Sequence, residues 1–260
     1  MKKMLFTALA MSLFFAVPAH AHFGMVLPDK NVAMEKKDAD ISVQFIFTHP
    51  FEGKAMDLDV EKAQVFNDGK ATDITSTLKP ETYKGKKAFK TSYKLAKPGV
   101  YTIAMTPKPY WEPAEDKFII HYTKTVVAAF GEEEGWDQPV GLPVEIVPLS
   151  RPFGLYAGNA FRGKVLVDGK PGANLDVEVE YLNGSAGTFT APSDYSVTQV
   201  VKTDENGIFT YSTPCAGWVA SPPSLTVPAR SPLKARTATL NSAASSGQSS
   251  TGCSLPSKVV

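Results

Sequence analysis

The sequence lacks the motifs that mark the common catalytic and nucleotide-binding sites. It contains no Gly-x-Ser-x-Gly nucleophile elbow, no complete phosphate-binding P-loop, no dinucleotide-binding glycine pattern and no His-Glu-x-x-His zinc motif. Acidic residues are plentiful, but no spacing singles out a catalytic pair. These absences argue against an enzyme, and we expect a binding or structural protein.

Cysteine is scarce, and so is a strong charge of one sign. The two cysteines, Cys215 and Cys253, could pair in an oxidising compartment, but the second lies in an atypical C-terminal segment and the sequence leaves their pairing open. Residues 22–218 carry 21 basic and 26 acidic residues. No basic stripe with interleaved aromatic residues is present, so nucleic-acid binding is not expected.

The first 21 residues have the features of a secretory signal peptide. Lys2 and Lys3 precede an apolar run at positions 5–17, and Ala19 and Ala21 supply the small residues that signal peptidase requires. The run is too short to span a membrane. We therefore predict export to the periplasm without stable membrane insertion, with His22 as the first residue of the mature chain.

Strand patterns dominate the chain after residue 21. They predict an N-terminal β-sandwich over 22–130, with strands at 41–48, 62–67, 87–95, 99–106 and 117–124. The acidic, turn-rich segment 131–143 is predicted to be a linker. A second sandwich is predicted over 144–218, with strands at 144–149, 160–167, 175–181, 197–203 and 208–212. The predicted fold class is all-β, with two antiparallel sandwiches of Ig-like or transthyretin-like type. In the strand at 175–181, Asp176, Glu178 and Glu180 alternate with apolar residues and are predicted to face solvent.

The C-terminal segment 219–260 differs from the rest of the chain. It contains no acidic and no aromatic residue, and Ser, Ala, Pro and Thr predominate. Such a segment buries too little apolar surface to offset its ordering entropy, so we predict disorder. A second interpretation is translation out of frame, because the second sandwich stops without a closing strand. In that case the second sandwich would be truncated, with an exposed sheet edge.

Only three histidines lie beyond residue 21, namely His22, His49 and His121. An N-terminal His22 would offer its α-amine and its imidazole to one metal ion, and both are available near neutral pH. His49 ends a predicted strand ahead of a proline, whereas His121 lies within a predicted strand. Each histidine alone has an ordinary structural explanation. Together they permit three nitrogen ligands, a set that suits copper(II) or nickel(II) better than tetrahedral zinc.

Three further side chains are candidates to complete a metal site. Glu52 would supply a carboxylate for a divalent ion, and Met25 or Met56 would supply a thioether for copper(I). Methionine in a β-protein more commonly fills gaps in the core. The acidic run at 132–134 is expected to be a solvated loop.

Several of these motifs resemble a family described as the periplasmic component of nickel or cobalt ABC-type uptake systems. They are His22 with Phe23, THPFEG at 48–53 followed by Met56, HYTKT at 121–125, GWD at 135–137 and EIVP at 145–148. The resemblance implies an exported, β-rich protein that works with membrane transporter components. It makes nickel or cobalt the first candidates for the bound ion, with copper and zinc as the others.

Two details qualify this resemblance. Residues 158–212 also resemble a carboxypeptidase-regulatory or transthyretin-like module, which carries no activity by itself. After CAGW at 215–218 the chain departs from the apolar continuation of the family at Val219, which agrees with the out-of-frame interpretation.

Two other functions stay open beside a metal-binding uptake protein. A structural or adhesive periplasmic module would use none of the histidines as ligands. A copper histidine-brace oxidase would use the same N-terminal site, with Tyr110 and Trp111 as a platform for a sugar. Metal titration separates the first alternative from a binding protein, and turnover with copper, reductant and oxidant identifies the second.

Overall fold

The computed structural model describes residues 22–113, 116–183, 190–212, 218–221 and 237–241. The predicted signal peptide lies outside these residues, as do Cys215, Cys253 and most of the C-terminal segment. Within the described residues the chain is all-β, as predicted, and its only helical elements are three short 3-10 turns, at Lys36–Asp38, Thr75–Thr77 and Asp194–Ser196. No helix in this part of the chain is long and apolar enough to cross a membrane.

The strands of the first part of the chain surround one large core. They are β1 (Phe23–Pro28), β2 (Val32–Ala33), β3 (Asp40–His49), β4 (Lys54–Met56), β5 (Val60–Asn67), β6 (Lys70–Asp73), β7 (Lys79–Tyr83), β8 (Lys86–Lys94), β9 (Gly99–Pro107), β10 (Tyr110–Glu112), β11 (Lys117–Ile119) and β12 (His121–Ala129). One sheet has the order β1-β3-β8-β7, with β4 added to β3, and the facing sheet contains β12-β9-β5-β6, with β2 added to β12. Val43 and Phe45 from β3 and Ile103 and Met105 from β9 all lie in this core.

The strands of the second part surround a smaller core. They are β13 (Val144–Pro148), β14 (Ala160–Val167), β15 (Lys170–Pro171), β16 (Asp176–Tyr181), β17 (Thr198–Lys202), β18 (Ile208–Ser212), β19 (Trp218–Ser221) and β20 (Thr237–Asn241). β14 pairs with β13, β15 and β18, while β16 pairs with β17 and β19. Val165 from β14 and Val177 and Val179 from β16 lie in this second core. Residues 131–143 form turns between the two cores, and the division of the chain into two domains stays a prediction.

Most of the predicted strands agree with the structure. The prediction at 117–124 is wrong as one strand, because Ile120 separates the β10–β11 hairpin from β12 and His121 begins the new strand. β1 was not predicted, since its sequence FGMVLP has no clear alternation. Within the C-terminal segment, for which disorder is predicted, the structure describes two short strands: β19 pairs with β16, and β20 pairs with β12.

A buried ion pair joins the two parts of the molecule. Lys124 Nζ in β12 lies 2.7 Å from Glu145 Oε2 in β13, and each side chain is only 2% exposed. The same carboxylate accepts hydrogen bonds from the backbone N–H groups of Val140 and Gly141. Burial lowers the pKa of Lys124, and the negative charge of Glu145 opposes that shift. Every charge in this pair therefore has a partner, as buried charges require.

Candidate metal centre

His22 and His49 lie side by side at one end of the larger sandwich. β1 runs antiparallel to β3, with Phe23 opposite Thr48, and the next step in the same register places His22 opposite His49. The two imidazole ring centroids are 4.1 Å apart. β3 ends at His49 because Pro50 follows and the chain turns into β4. The register of two strands therefore brings together two histidines that are 27 positions apart in the sequence.

The third histidine reaches the same end from the opposite sheet. His121 begins β12, and β1 crosses it at Gly24, where a Cβ atom would lie only 3.0 Å from the Cβ of His121. The hydroxyl of Thr123 donates a hydrogen bond of 2.8 Å to the carbonyl oxygen of Gly24 and fixes this crossing. Glycine at position 24 thus permits the close approach of β1 to His121.

His121 is buried without hydrogen-bond partners for its ring. The residue is 5% exposed, and neither Nδ1 nor Nε2 has a hydrogen-bonding partner among the described residues. The ring of Phe47 lies 5.1 Å from the imidazole and 5.7 Å from that of His22. Desolvation, followed by the charge of His22, lowers the pKa of His121 to about 3. The imidazole is therefore neutral at physiological pH, which is the form that binds metal.

Glu112, on the β10–β11 hairpin, lies beside His22. Its Oε2 atom lies 3.2 Å from Nδ1 of His22, and the residue is 7% exposed. An Nδ1–H directed at this carboxylate would leave the lone pair of Nε2 for a ligand, an arrangement common among metal-binding histidines. Glu112 was not among the predicted site residues, and its only signal in the sequence was its place beside Tyr110 and Trp111 in a proline-bounded segment.

The contact between His22 and Glu112 bears on the predicted chelate. An α-amine and an imidazole of one residue close a chelate ring on a metal through Nδ1, because Nε2 lies on the far side of the ring. In the structure Nδ1 faces Glu112. The described geometry therefore favours Nε2 of His22 as the donor atom, and the chelate would require His22 to leave the carboxylate.

The remaining candidate ligands occupy other surroundings. Glu52 Oε2 lies 2.8 Å from Lys54 Nζ in the turn after His49. Met56 is paired with Phe47 across β3 and β4 and packs against the larger core. Met25 is fully buried in a small cluster with Phe23, Ile46 and Ala88. Both methionines therefore pack in apolar surroundings, as expected of methionines that fill gaps in a core rather than bind a metal.

The protein donors form an incomplete set in this arrangement. Among residues 22–113, 116–183 and 190–212, no three His, Cys, Asp or Glu side chains lie in positions that would already enclose one metal ion. His22 nevertheless contacts both His49 and Glu112, and its charge acts on His121. The nitrogens of buried His121, which no described residue bonds, fit a metal ion, because a ligand there would supply the interaction that the protein leaves out.

A cleft of about 320 Å³ opens beside His121. Phe47, Tyr110 and Trp111 form aromatic walls, and Asp57 and Asp59 contribute carboxylates. The ring of Tyr110 also lies 5.5 Å from that of His22, so the cleft and the histidine cluster share this wall. Burial, then the charge of Glu112, raises the pKa of Tyr110, and its phenol stays protonated at neutral pH.

The turn that follows His49 is anchored by the second part of the molecule. The N–H of Phe51 donates a hydrogen bond of 3.3 Å to Glu180 Oε2, and Asn183 N–H donates one of 3.0 Å to the carbonyl oxygen of Pro50. Glu180 also accepts a hydrogen bond from the hydroxyl of Thr198. The predicted exposure of Glu180 is wrong, since it is 2% exposed. This turn covers the outer face of β16, where simple alternation predicts solvent.

Burial has a clear electrostatic effect on Glu180. Desolvation raises the pKa of this carboxyl to about 7, the nearby charges of Glu178 and Glu52 act in the same direction, and the hydrogen bonds oppose the shift. Its protonated form is therefore favoured in the folded protein up to neutral pH.

Comparison with solved structures finds matches of low similarity. The D0-D1 domain of Intimin is 14% identical, with 85% of this chain and 97% of that chain covered and a TM-score of 0.24. The adhesin InvE of Yersinia pseudotuberculosis is 11% identical, with 84% and 58% covered and a TM-score of 0.24. The D00-D0 domain of Intimin is 13% identical, with 82% and 96% covered and a TM-score of 0.20.

Sequence comparison gives a clearer result. No curated protein matches the chain at a significant level. The profile of a domain of unknown function, DUF4198, matches residues 19–220 and so includes all three histidines and Glu112. The chain therefore belongs to the DUF4198 family.

Proposed function

We propose that this protein is a periplasmic binding protein for a divalent transition metal. Its ligands are Nε2 of His22 and the imidazoles of His49 and His121, with Glu112 orienting His22. The observation that carries the proposal is the convergence of three histidines from β3, β12 and the start of β1 around a buried imidazole whose two nitrogens lack hydrogen-bond partners in the described part of the chain.

The energetics of His121 support ligand binding over a purely structural role. A buried polar group without a partner costs roughly 1–3 kcal/mol of stability. A structural histidine in a core normally donates and accepts hydrogen bonds, so this cost would be absent. A metal ion bound by His121 would offset the cost, and His22 and His49 would have to reorient to share it.

The proposed cargo and pathway follow from the sequence motifs. The resemblance to periplasmic components of uptake systems favours nickel or cobalt, and imidazole donors bind both ions as well as copper and zinc. The protein would capture the ion and present it to transporter components in the membrane. Transfer requires a coordination position that the protein does not occupy, and three protein ligands leave such a position.

Calorimetric titration of nickel, cobalt, copper and zinc into protein that begins at His22 tests this proposal. We expect one-to-one binding, with nickel or cobalt preferred at equal ionic strength and pH. Binding that is absent for all four ions would overturn the proposal and favour a structural module. Turnover of copper-loaded protein with reductant and oxidant would instead identify the oxidase.

A protein with one extra residue ahead of His22 is the matched control for the donor atoms. If His22 binds through Nε2, displacing the α-amine leaves the affinity within about threefold, because Nδ1 stays on Glu112. If binding collapses in this control, the α-amine and Nδ1 form the chelate, and His22 must leave Glu112 when metal binds.

A further inference from the structure

We propose that the cleft beside His121 holds the organic part of a metal chelate, so that the ion is bound together with a small ring-bearing amino compound. This inference rests on the proposed function and specifies the form in which the metal arrives. The chelator would supply some metal ligands and would seat its ring against Tyr110 and Trp111.

The cleft is larger than a single metal ion requires. Its volume of about 320 Å³ corresponds to roughly ten water molecules at about 30 Å³ each. This value lies at the lower end of the range for small-molecule sites, about 300–1,000 Å³. The cleft therefore has room for a compound the size of an amino acid next to a metal ion.

The incomplete protein donor set leaves coordination positions for such a compound. No three donor side chains in the described part of the chain already surround a single point. His121, which lines the cleft, is 5% exposed and presents ring nitrogens to which no described residue hydrogen-bonds. A metal ion bound at this imidazole would lie at the wall of the cleft, where a chelator can complete its coordination.

The lining of the cleft favours a ring and an amine. Trp111 is 37% exposed and is held by an edge contact with Phe118, at 5.0 Å between ring centroids. Its indole therefore keeps a fixed position while remaining accessible for stacking. Asp57 accepts a hydrogen bond from the Lys87 backbone, and Asp59 pairs with the Lys87 ammonium group. Asp59 is thus already paired and Lys108 adds a positive charge to the lining, so Asp57 is the carboxylate that would attract the amino group of the chelator.

Equilibrium dialysis with radiolabelled L-histidine tests the inference, with nickel present or absent. L-histidine combines a heteroaromatic ring, an amine and metal-binding nitrogens, and glycine is the matched probe that chelates without a ring. We expect the wild-type protein to retain one labelled histidine per chain only when nickel is present. Retention of labelled glycine should be at least tenfold weaker.

Variants separate the cleft from the metal ligands. Trp111→Ala should weaken retention of histidine at least tenfold while nickel alone binds within twofold of the wild-type affinity. Tyr195→Ala removes an aromatic side chain that is 93% exposed and lies outside the cleft, and should change neither quantity.

Nickel binding without retained histidine would overturn this inference and leave the proposed function intact. Equal retention by the wild type and Trp111→Ala would overturn the assignment to the cleft. Failure of nickel alone to bind, with no retained label, would overturn both proposals, and the nickel-only titration identifies that case.

Discussion

Two buried polar side chains on β12 have opposite surroundings. Lys124 is paired with Glu145 at 2.7 Å, and that carboxylate takes two backbone hydrogen bonds. His121, three residues earlier on the same strand, is also buried, but its ring nitrogens have no hydrogen-bond partner within the described ranges. A polar group that serves the fold is satisfied within the protein, whereas an unsatisfied one is available to a ligand. The contrast separates the structural part of β12 from the part that we assign to metal binding.

Breaking the structural pair should have the largest effect on stability. Lys124→Met leaves the Glu145 carboxylate buried without its ammonium partner, and the free energy of unfolding should fall by about 3–5 kcal/mol. Urea denaturation followed by circular dichroism measures this loss. The double variant Lys124→Met/Glu145→Leu removes both charges and should recover most of it. A single variant as stable as the wild type would show that the pair does not support the fold.

A buried carboxyl in the second part of the molecule gives a pH dependence of stability. The pKa of Glu180 is raised from 4.5 to about 7 by burial, so between these values the folded state binds more protons than the unfolded state. Stability is therefore greatest below about pH 4.5 with respect to this group and falls as pH rises through 7, by on the order of 3 kcal/mol. Denaturation of wild type and Glu180→Gln from pH 4 to pH 8 measures the difference. Curves that stay parallel would contradict the assignment.

A substitution of Glu112, which contacts the proposed ligand His22 but does not itself bind the metal, should have a smaller effect, and that effect should be on metal affinity. Glu112→Gln retains a polar group beside Nδ1 of His22 but removes the negative charge that orients and polarises the ring. Metal affinity should fall by about 10–100-fold, as is usual for such partners, with little change in stability without metal. Glu133→Gln, on an exposed loop, is the matched loss of one carboxylate and should leave affinity unchanged. Equal affinities for Glu112→Gln and the wild type would remove Glu112 from the site.

Alternation and turn residues were sufficient to predict most strands. The patterns at 41–48, 62–67, 87–95 and 99–106 correspond to β3, β5, β8 and β9, because each of these strands packs an alternating set of apolar residues into the larger core. β1 was not predicted, because FGMVLP places apolar side chains on both faces and does not alternate. It also contains Gly24, where β1 passes close to His121 of β12.

The site was harder to predict because its contacts depend on tertiary structure. The three histidines were candidates by residue type, but only the β1–β3 register shows that His22 and His49 are neighbours. Glu112 reaches His22 across 90 positions of sequence through a short hairpin that no local pattern specifies. Glu180 was predicted to be exposed because alternation describes one strand and contains no information about the turn that covers it.

The most direct test of the central claim is to replace the buried imidazole of His121 by an apolar side chain of similar size. In His121→Leu, measured without metal, we expect a free energy of unfolding equal to the wild type or higher by up to about 1–3 kcal/mol, because a buried unsatisfied group is removed. Metal affinity in the same variant should fall by more than the roughly 10–100-fold that loss of an outer partner causes. A variant that is strongly destabilised but binds metal as the wild type does would contradict the account and make His121 a structural residue.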